Sequence, residues 1–338
     1  MVPMPEVELP VVEVAQIQQQ SQQGHRVLSA GDGQQQPAMG WQQLGLNQQL
    51  PVHAVMPSTP APPVHGCHPS DGRLRTSLST TMTRLQQLPA ALQQSLVERR
   101  TLKVIAGLMN FDAASVARVA RAAGHCGADL IDVACDPELV KLAIEASGGV
   151  PVCVSSVEPE LFPAAVAAGA VMVEIGNFDA FYPQGRLFGA DEVLALTRQT
   201  RALLPDVVLS VTVPHVLPMD QQEQLAVDLV AAGADLIQTE GGTSAKPFSA
   251  GSLGLIEKAA PTLAAAHSIS AALKAADVAV PVLCASGLSS VTLPMAIAAG
   301  ATGVGVGSAV NRLSDELAMV AVVRGLREAL GRAVTSRV

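Results

Sequence analysis

The sequence repeats one local pattern four times: an alanine-rich stretch ends in glycine, and an apolar, strand-like run follows within a few residues. Glycine readily adopts the left-handed conformation just beyond a helix. Each copy therefore predicts a helix that ends at the glycine and leads into a buried parallel strand. The glycines of the four copies are Gly124, Gly169, Gly233 and Gly300.

Together with the apolar runs between the copies, the pattern predicts eight strands, each followed by a helix. Eight such units in about 230 residues indicate an α/β fold, the (β/α)8 TIM barrel. An open doubly wound sheet is the alternative, but its first strand should lead to GxGxxG, and here it leads to Gly107-Leu108-Met109-Asn110. The predicted strands are 101–106, 129–134, 151–155, 171–175, 207–213, 235–239, 281–285 and 303–307, and the predicted helices are about 112–123, 137–146, 159–168, 190–203, 220–232, 253–275, 290–299 and 315–330.

Residues 1–98 differ from the rest in composition, with glutamine runs, a proline cluster and no lysine. Such a segment cannot bury a core, so we predict a disordered N-terminal extension over 1–98, the barrel over 99–332 and a tail over 333–338. A chain that begins near Gln94 should then still fold. The Arg-, Ser- and Thr-rich run at 73–81 is typical of a transit peptide, whereas the acidic residues among the first 13 are not.

The net charge and the cysteine spacing exclude several classes of binding partner. A net charge of −8 argues against binding to nucleic acid or an anionic membrane. The uncharged stretch 281–311 could span a bilayer by length, but its serines, prolines and glycines indicate strand–helix–strand instead. The five cysteines include no CxxC pair, so the sequence predicts no metal site.

Strand side chains alternate between faces, and the outer face of a barrel meets helices and is apolar. This parity places Lys103, Asp132 and Glu174 inside the barrel. Buried charges are costly unless paired, so these three side chains should form one cluster. The other side chains that parity places inside are Ile105, Ala134, Cys153, Ser155, Gly176, Ser210, Thr212, Gln238, Glu240, Cys284, Ser286, Gly305 and Gly307.

The cluster has two interpretations. A desolvated lysine can lose its proton and then form an imine or act as a base, with carboxylates beside it moving protons. Alternatively, the charges form a buried ion pair without chemistry. The candidate catalytic residues are Lys103, Asp132, Glu174, Glu240 and His215, the last at the end of strand 5, where an imidazole could reach the barrel mouth.

Glycine-rich runs end strands 6, 7 and 8. Barrel enzymes often bind phosphate with the loops after strands 7 and 8, where glycines let backbone N–H groups approach the ligand. The alternative is that inward glycines fill a tapering barrel. The candidate binding residues are Ser286, Gly287, Gly305, Gly307, Ser308, Gly241 and Gly242. Phe178, Phe181 and Tyr182 form a cluster of three aromatic residues in the loop 177–189 of a chain with few aromatics, which indicates a lid.

Several motifs resemble one family. The chain is similar to the hypothetical chloroplast reading frame twenty-three family of cyanobacteria and plastids over about residues 95–330. The resemblance implies a barrel fold and a plastid location, in the stroma, with the N-terminal extension serving import; it implies no activity. The motifs are LKVIAGL (102–108), CVSSVEPELF (153–162), VEIGNFD (173–179), SVTVPH (210–215), QTEGGTS (238–244), LCASGL (283–288) and GVGVGSAVN (303–311).

Three functions fit these features. The leading hypothesis is a lyase, isomerase or synthase that acts on a small phosphorylated metabolite. An oxidoreductase that binds flavin mononucleotide (FMN) is the second, because FMN is held by the same type of phosphate cradle. A metabolite-binding or regulatory protein without chemistry is the third. FMN is the one cofactor that these features suggest, and the sequence does not identify any other.

Overall fold

The computed structural model describes the backbone of residues 84–335 and the side chains of residues 84–331. Eight parallel strands close into a barrel in sequence order, with β1 paired to both β2 and β8. The predicted (β/α)8 barrel is therefore confirmed. The strands are β1 Thr101–Gly107, β2 Leu130–Ala134, β3 Val152–Ser156, β4 Met172–Ile175, β5 Val208–Thr212, β6 Leu236–Gln238, β7 Val282–Ala285 and β8 Gly303–Val306.

Helices follow the strands on the outside of the barrel, and the helix Ala90–Val97 precedes β1. No helix within 84–335 is both long and apolar enough to cross a membrane. The helices are α1 Ala90–Val97, α2 Ala113–His125, α3 Pro137–Ala146, α4 Phe162–Ala167, α5 Ala190–Leu203, α6 Met219–Ala231, α7 Gly251–Ala275, α8 Leu293–Ala298, α9 Ser308–Asn311 and α10 Glu316–Thr335. Short 3-10 turns cover Pro159–Leu161, Phe178–Ala180 and Tyr182–Gln184.

Three of the four predicted C-terminal glycines, Gly169, Gly233 and Gly300, have positive φ where their helices end. The prediction for Gly124 is wrong, since α2 continues through it to His125 and Gly127 takes the left-handed conformation instead. Gly124 is required for packing: a Cβ there would lie 2.1 Å from the Ser147 carbonyl oxygen. Its lack of a side chain therefore lets α2 approach the end of α3.

The bottom of the barrel, at the N-terminal ends of the strands, is filled by inward apolar side chains and covered by the segment that contains α1. Leu88, Leu92 and Leu96 are buried against this layer. Buried Asp235 accepts hydrogen bonds there from Arg84 and Arg201. The inward side chains of the layer are Leu130, Cys153, Met172, Val208, Leu236 and Leu283.

This cover corrects the predicted domain boundary at residue 98. Residues 84–98 belong to the fold, because Leu88, just before α1, and Leu92 and Leu96 on α1 are buried against the barrel bottom. A chain that begins at Gln94 would lack two of these three leucines. Residues 1–83 of the predicted extension, including the candidate transit peptide, lie outside the described residues. The predicted tail begins within α10, whose last residue is Thr335, and residues 336–338 lie outside the described part.

The α1 cover yields a first prediction. Leu92→Ala removes a side chain that is 2 % exposed, so it should lower the free energy of unfolding by about 2–5 kcal/mol. Val97 lies on the same helix and is 83 % exposed, so Val97→Ala should change it by less than about 0.5 kcal/mol. Urea denaturation of both variants measures the difference. Equal small effects would show that α1 does not stabilise the barrel.

Candidate functional site

A charged layer lies directly above the apolar bottom of the barrel. The Lys103 Nζ lies 2.7 Å from Glu174 Oε2 and 3.7 Å from Asp132 Oδ2. It also donates to Gln238 Oε1 at 3.0 Å. Strand parity therefore predicted this cluster correctly, and all three charged side chains are fully buried.

Neutral side chains complete the hydrogen bonds of the two carboxylates. Glu174 accepts from Ser210 Oγ and from Gln238 Nε2, each at 2.7 Å. Asp132 accepts from Ser155 Oγ at 2.6 Å. The strand register brings these groups together, since Glu174 pairs with Ser155 on one side and Ser210 on the other. Such a satisfied network is what allows charges to remain inside a barrel.

Burial and pairing act in opposite directions on the pKa of Lys103. Burial lowers the pKa, but the charges of Asp132 and Glu174 outweigh it and raise the pKa above its ordinary value. Burial raises the pKa of Asp132 to about 6, against the opposing effect of Lys103. Lys103 is therefore an ammonium at neutral pH, which disfavours the interpretation as a free amine that forms an imine.

A cavity of about 630 Å³ opens above the charged layer, at the C-terminal ends of the strands. Its lining comes from the ends of β1, β4, β6, β7 and β8 and the loops that follow them. The carboxylates of Asp179 and Glu240 line one part, and Gly287, Gly307 and Ser308 line another. Active sites of TIM barrels lie at this end of the barrel. Lys103, Asp132 and Glu174 are not among the lining residues.

Glu240 is held by groups from two loops. Its Oε1 accepts hydrogen bonds from the Tyr182 hydroxyl, the His215 backbone N–H at 3.1 Å and His215 Nδ1 at 3.1 Å. Its Oε2 accepts from the backbone N–H of Asp179 at 3.3 Å. Ser286 Oγ in turn donates to Asp179 Oδ2 at 2.7 Å. The loop predicted as a lid thus contributes Tyr182 and Asp179 to the site.

The pKa values of this group are shifted as expected for partly buried acid–base residues. Burial raises the pKa of Glu240, although hydrogen bonds from His215 and Tyr182 oppose the rise. Burial lowers the pKa of His215, but Glu240 and Asp179 outweigh it and raise the pKa overall. Raised carboxyl pKa values are a common property of catalytic acids and bases.

The sequence predicted His215 at the barrel mouth as a catalytic imidazole. The ring instead packs edge-on against Tyr182 and bonds Glu240, and it is not among the residues that line the cavity. His215 therefore positions Glu240. Asp179, His215 and Glu240 each offer a ligand atom within 4.8 Å of the others, as a metal site would need. The tautomer with a proton on Nδ1 donates to Glu240 and suits acid–base chemistry there, whereas the other tautomer leaves the Nδ1 lone pair for a metal.

The predicted phosphate-binding residues fall into two groups. Ser286, Gly287, Gly307 and Ser308 line the cavity. The others are Gly241, Gly242 and Gly305, which lie where the chain packs too closely for a side chain. This agrees with the alternative interpretation, in which glycines are needed for space. A Cβ at Gly242 would lie 2.4 Å from Gly287 Cα, and one at Gly305 would lie 2.9 Å from Ala285 Cβ. These glycines do not line the cavity, but they allow the elements around it to pack closely.

The parity prediction for β7 is wrong. Cys284 faces outward, where its Sγ lies 3.6 Å from the Thr262 carbonyl oxygen on α7, and Leu283 fills the barrel bottom. Ser286 still reaches the mouth, because it lies beyond the end of β7 with a φ of 75°. The strand run is apolar on both faces, so no polar residue marked the inner side.

Arg312 and Asn177 are among the cavity residues that sequence reasoning missed. Arg312 is exposed, lines the cavity and makes no hydrogen bond or ion pair with any described residue. Asn177 lines the cavity from the end of β4 and has a left-handed backbone, with a φ of 60°. Arg312 lies in the loop after α9, a helix that was not predicted. Asn177 lies in the VEIGNFD motif and at the start of the predicted lid, where no sequence pattern distinguishes it as a cavity residue.

The comparisons with known proteins identify the family. Residues 88–335 match the family model described as "Protein of unknown function (DUF561)". The chain belongs to this family. It is 42 % identical over 225 residues to the uncharacterized protein ycf23 of Cyanophora paradoxa, which covers 67 % of this chain and 90 % of that protein. The ycf23 protein of Porphyra purpurea is 36 % identical over 233 residues, or 69 % of this chain and 86 % of that protein. The resemblance inferred from the motifs is confirmed.

Among solved structures, the chain is similar to the crystal structure of 3-hexulose-6-phosphate synthase. The TM-score is 0.47 and the identity 17 %, over 68 % of this chain and 99 % of that one. The barrel assignment rests on the strand pairing of this chain itself.

A second prediction concerns the charged layer. Lys103→Met leaves two buried carboxylates without their counter-charge, so at pH 8 it should lower the free energy of unfolding by about 3–5 kcal/mol. When folding raises the pKa of a carboxyl, the protein loses stability as the pH rises from the pKa in the unfolded state, about 4, through the pKa in the folded state. In wild type that window ends near the Asp132 pKa of about 6. Without Lys103 the pKa values of the buried carboxyls should rise further, so this pH range should extend to higher pH. The loss of unfolding free energy caused by Lys103→Met should therefore be much smaller at pH 5 than at pH 8.

Urea denaturation at both pH values measures this difference. Lys141→Met is the matched control, since the Lys141 side chain is 60 % exposed in its ion pair with Glu138 and should contribute less than about 1 kcal/mol. A Lys103→Met cost that is the same at pH 5 and pH 8 would show that the lysine acts through packing alone.

Proposed function

We propose that this protein is a plastid enzyme of the stroma that moves a proton on a small phosphorylated metabolite, in isomerase- or lyase-type chemistry. The observation that carries the proposal is the cavity itself, which combines anion-binding groups from β7 and β8 with a hydrogen-bonded carboxylate, Glu240, from the end of β6. The shared designation of the relatives as a chloroplast reading frame supports the plastid location.

The anion-binding part of the cavity is formed by Gly287, Gly307, Ser308 and Arg312. Gly287 has a φ of 72° and Gly307 carries no side chain, so both let a ligand approach the backbone. The guanidinium of Arg312 supplies a positive charge that no described residue neutralises. Together these groups fit a phosphate.

The acid–base part of the cavity is Glu240. Its Oε1 is occupied by three donors, whereas Oε2 accepts only the 3.3 Å bond from Asp179. Oε2 is therefore free to take a proton from a carbon next to a substrate carbonyl, whose oxygen receives the electron pair as an enediolate. The carbon that loses the proton carries a hydroxyl group, and this hydroxyl passes its proton to the enediolate oxygen as its own C–O bond becomes the new carbonyl. Return of the first proton from Glu240 to the former carbonyl carbon then completes an isomerisation. Lys103 takes no part in this step, because it is a protonated ammonium beneath the cavity.

A third prediction tests the anion site. Inorganic phosphate at about ten times its Kd should raise the melting temperature of the full chain by a few degrees through linkage. Gly307→Val should abolish that rise without loss of the fold, because no atom lies closer than 3.6 Å to a Cβ at Gly307. Arg312→Gln should weaken phosphate binding about tenfold by removing a charge-assisted hydrogen bond. Differential scanning calorimetry gives both values.

Arg198→Gln is the control for charge, because Arg198 is exposed on α5 and does not line the cavity. It should leave the phosphate-dependent rise unchanged. If Gly307→Val and Arg312→Gln also leave the rise unchanged, the anion binds elsewhere and the proposed site is wrong.

A fourth prediction tests Glu240. Dihydroxyacetone phosphate incubated with the protein in D₂O should exchange its carbon-bound hydrogen, as followed by proton NMR. Glu240→Gln should lower the exchange rate by about 10²–10⁴-fold, the usual contribution of a general base, and should leave phosphate binding in place. Glu145→Gln, on the exposed surface of α3, is the control. An exchange rate unaffected by Glu240→Gln would rule out this residue as the base.

A further inference from the structure

Asn177 joins the buried charged layer to the cavity. We propose that its carbonyl oxygen accepts a hydrogen bond from a hydroxyl group of the substrate, so that the protein selects phosphate esters with a hydroxylated carbon chain. This inference rests on the proposed function and names the substrate class of the same site.

The orientation of the Asn177 amide is fixed by the layer beneath it. Its Nδ2 lies 3.1 Å from Asp132 Oδ2, 3.0 Å from Ser155 Oγ and 3.2 Å from Glu174 Oε1. Ionised carboxylates only accept hydrogen bonds, and an amide nitrogen only donates. A flipped amide would place its oxygen against two carboxylates. The NH₂ group must therefore face the buried layer.

The carbonyl oxygen is the atom that remains for a ligand. No described residue donates a hydrogen bond to Asn177 Oδ1. This oxygen is also not one of the fully buried polar atoms that have no hydrogen-bond partner, so it is accessible. Since Asn177 lines the cavity, we infer that Oδ1 is open to the cavity. A fixed acceptor of this kind discriminates strongly for a ligand that brings a donor.

The position of Asn177 fits a ligand that spans the mouth. Asn177 follows β4, whereas Gly307 and Ser308 follow β8, four strands away in the closed barrel. A phosphate bound near Ser308 therefore directs the rest of the ligand across the cavity towards Asn177. Lys103, Asp132 and Glu174 do not line the cavity, whereas Asn177 lines it and is hydrogen-bonded to both carboxylates.

The test compares three probes by isothermal titration calorimetry: inorganic phosphate, pentyl phosphate and D-ribulose 5-phosphate. The last two have chains of the same length, and only the sugar phosphate brings hydroxyl donors. Asn177→Gly keeps the left-handed backbone, which glycine adopts readily, and removes the acceptor. It should weaken ribulose 5-phosphate binding about five- to tenfold, the worth of one hydrogen bond, and leave the other two probes unchanged.

Two further variants separate recognition from support of the fold. Asn177→Ser retains a short polar side chain towards the carboxylates but lacks the carbonyl, so it should show the same selective loss even if Asn177→Gly folds poorly. Ser155→Ala disturbs the same buried layer from a residue that does not line the cavity. It should leave the preference for ribulose 5-phosphate over pentyl phosphate intact.

The outcomes distinguish this inference from the proposed function. If no probe binds to the wild-type protein, both are wrong. If phosphate binds but the Asn177 variants weaken all three probes equally, or if Ser155→Ala shows the same selective loss, Asn177 only supports the fold; the selectivity is then refuted and the phosphate site stands.

Discussion

The fully buried ammonium of Lys103 constrains the interior of this barrel. A cation without water must be paired, and Glu174 at 2.7 Å and Asp132 at 3.7 Å provide that pairing. The carboxylates have more acceptor sites than one lysine can fill, so Ser155, Ser210 and Gln238 supply further donors. Because all of these side chains are needed to satisfy one another, few other residues could replace them on the inner faces of β1 to β6.

The barrel interior is therefore arranged in three levels along its axis. Apolar side chains and the α1 cover close the bottom, the charged layer fills the middle, and the cavity opens at the top. Each level constrains the one above it: the apolar cover keeps water from Lys103, and the charged layer orients Asn177. We infer that the charged layer contributes rigidity to the cavity floor and leaves the proposed proton chemistry to Glu240, which lines the cavity.

The sequence was sufficient for the fold and for the charged layer because both follow from alternation. In β1 to β6 a polar residue marks the inner face, so parity has one solution. In β7 the run from Val282 to Ala285 is apolar throughout, and Cys284 was placed on the wrong face for that reason. Leucines do recur every four residues at 88, 92 and 96, the first just before α1 and the other two on it, but the glutamines and prolines before them conceal this pattern in the composition.

The candidate site could be predicted only in part, because it depends on loops whose contacts are long-range. Gly242 and Gly287 both resemble phosphate-binding glycines in sequence, yet they lie so close to each other that their main role together is to bring the β6 and β7 loops into contact. That contact brings Ser286 within hydrogen-bond distance of Asp179, whose backbone N–H bonds Glu240. The loop glycines therefore also act on the acid–base group: a shift of the β7 loop would move the phosphate site and the Glu240 carboxylate together, which couples substrate binding to the position of the proposed base.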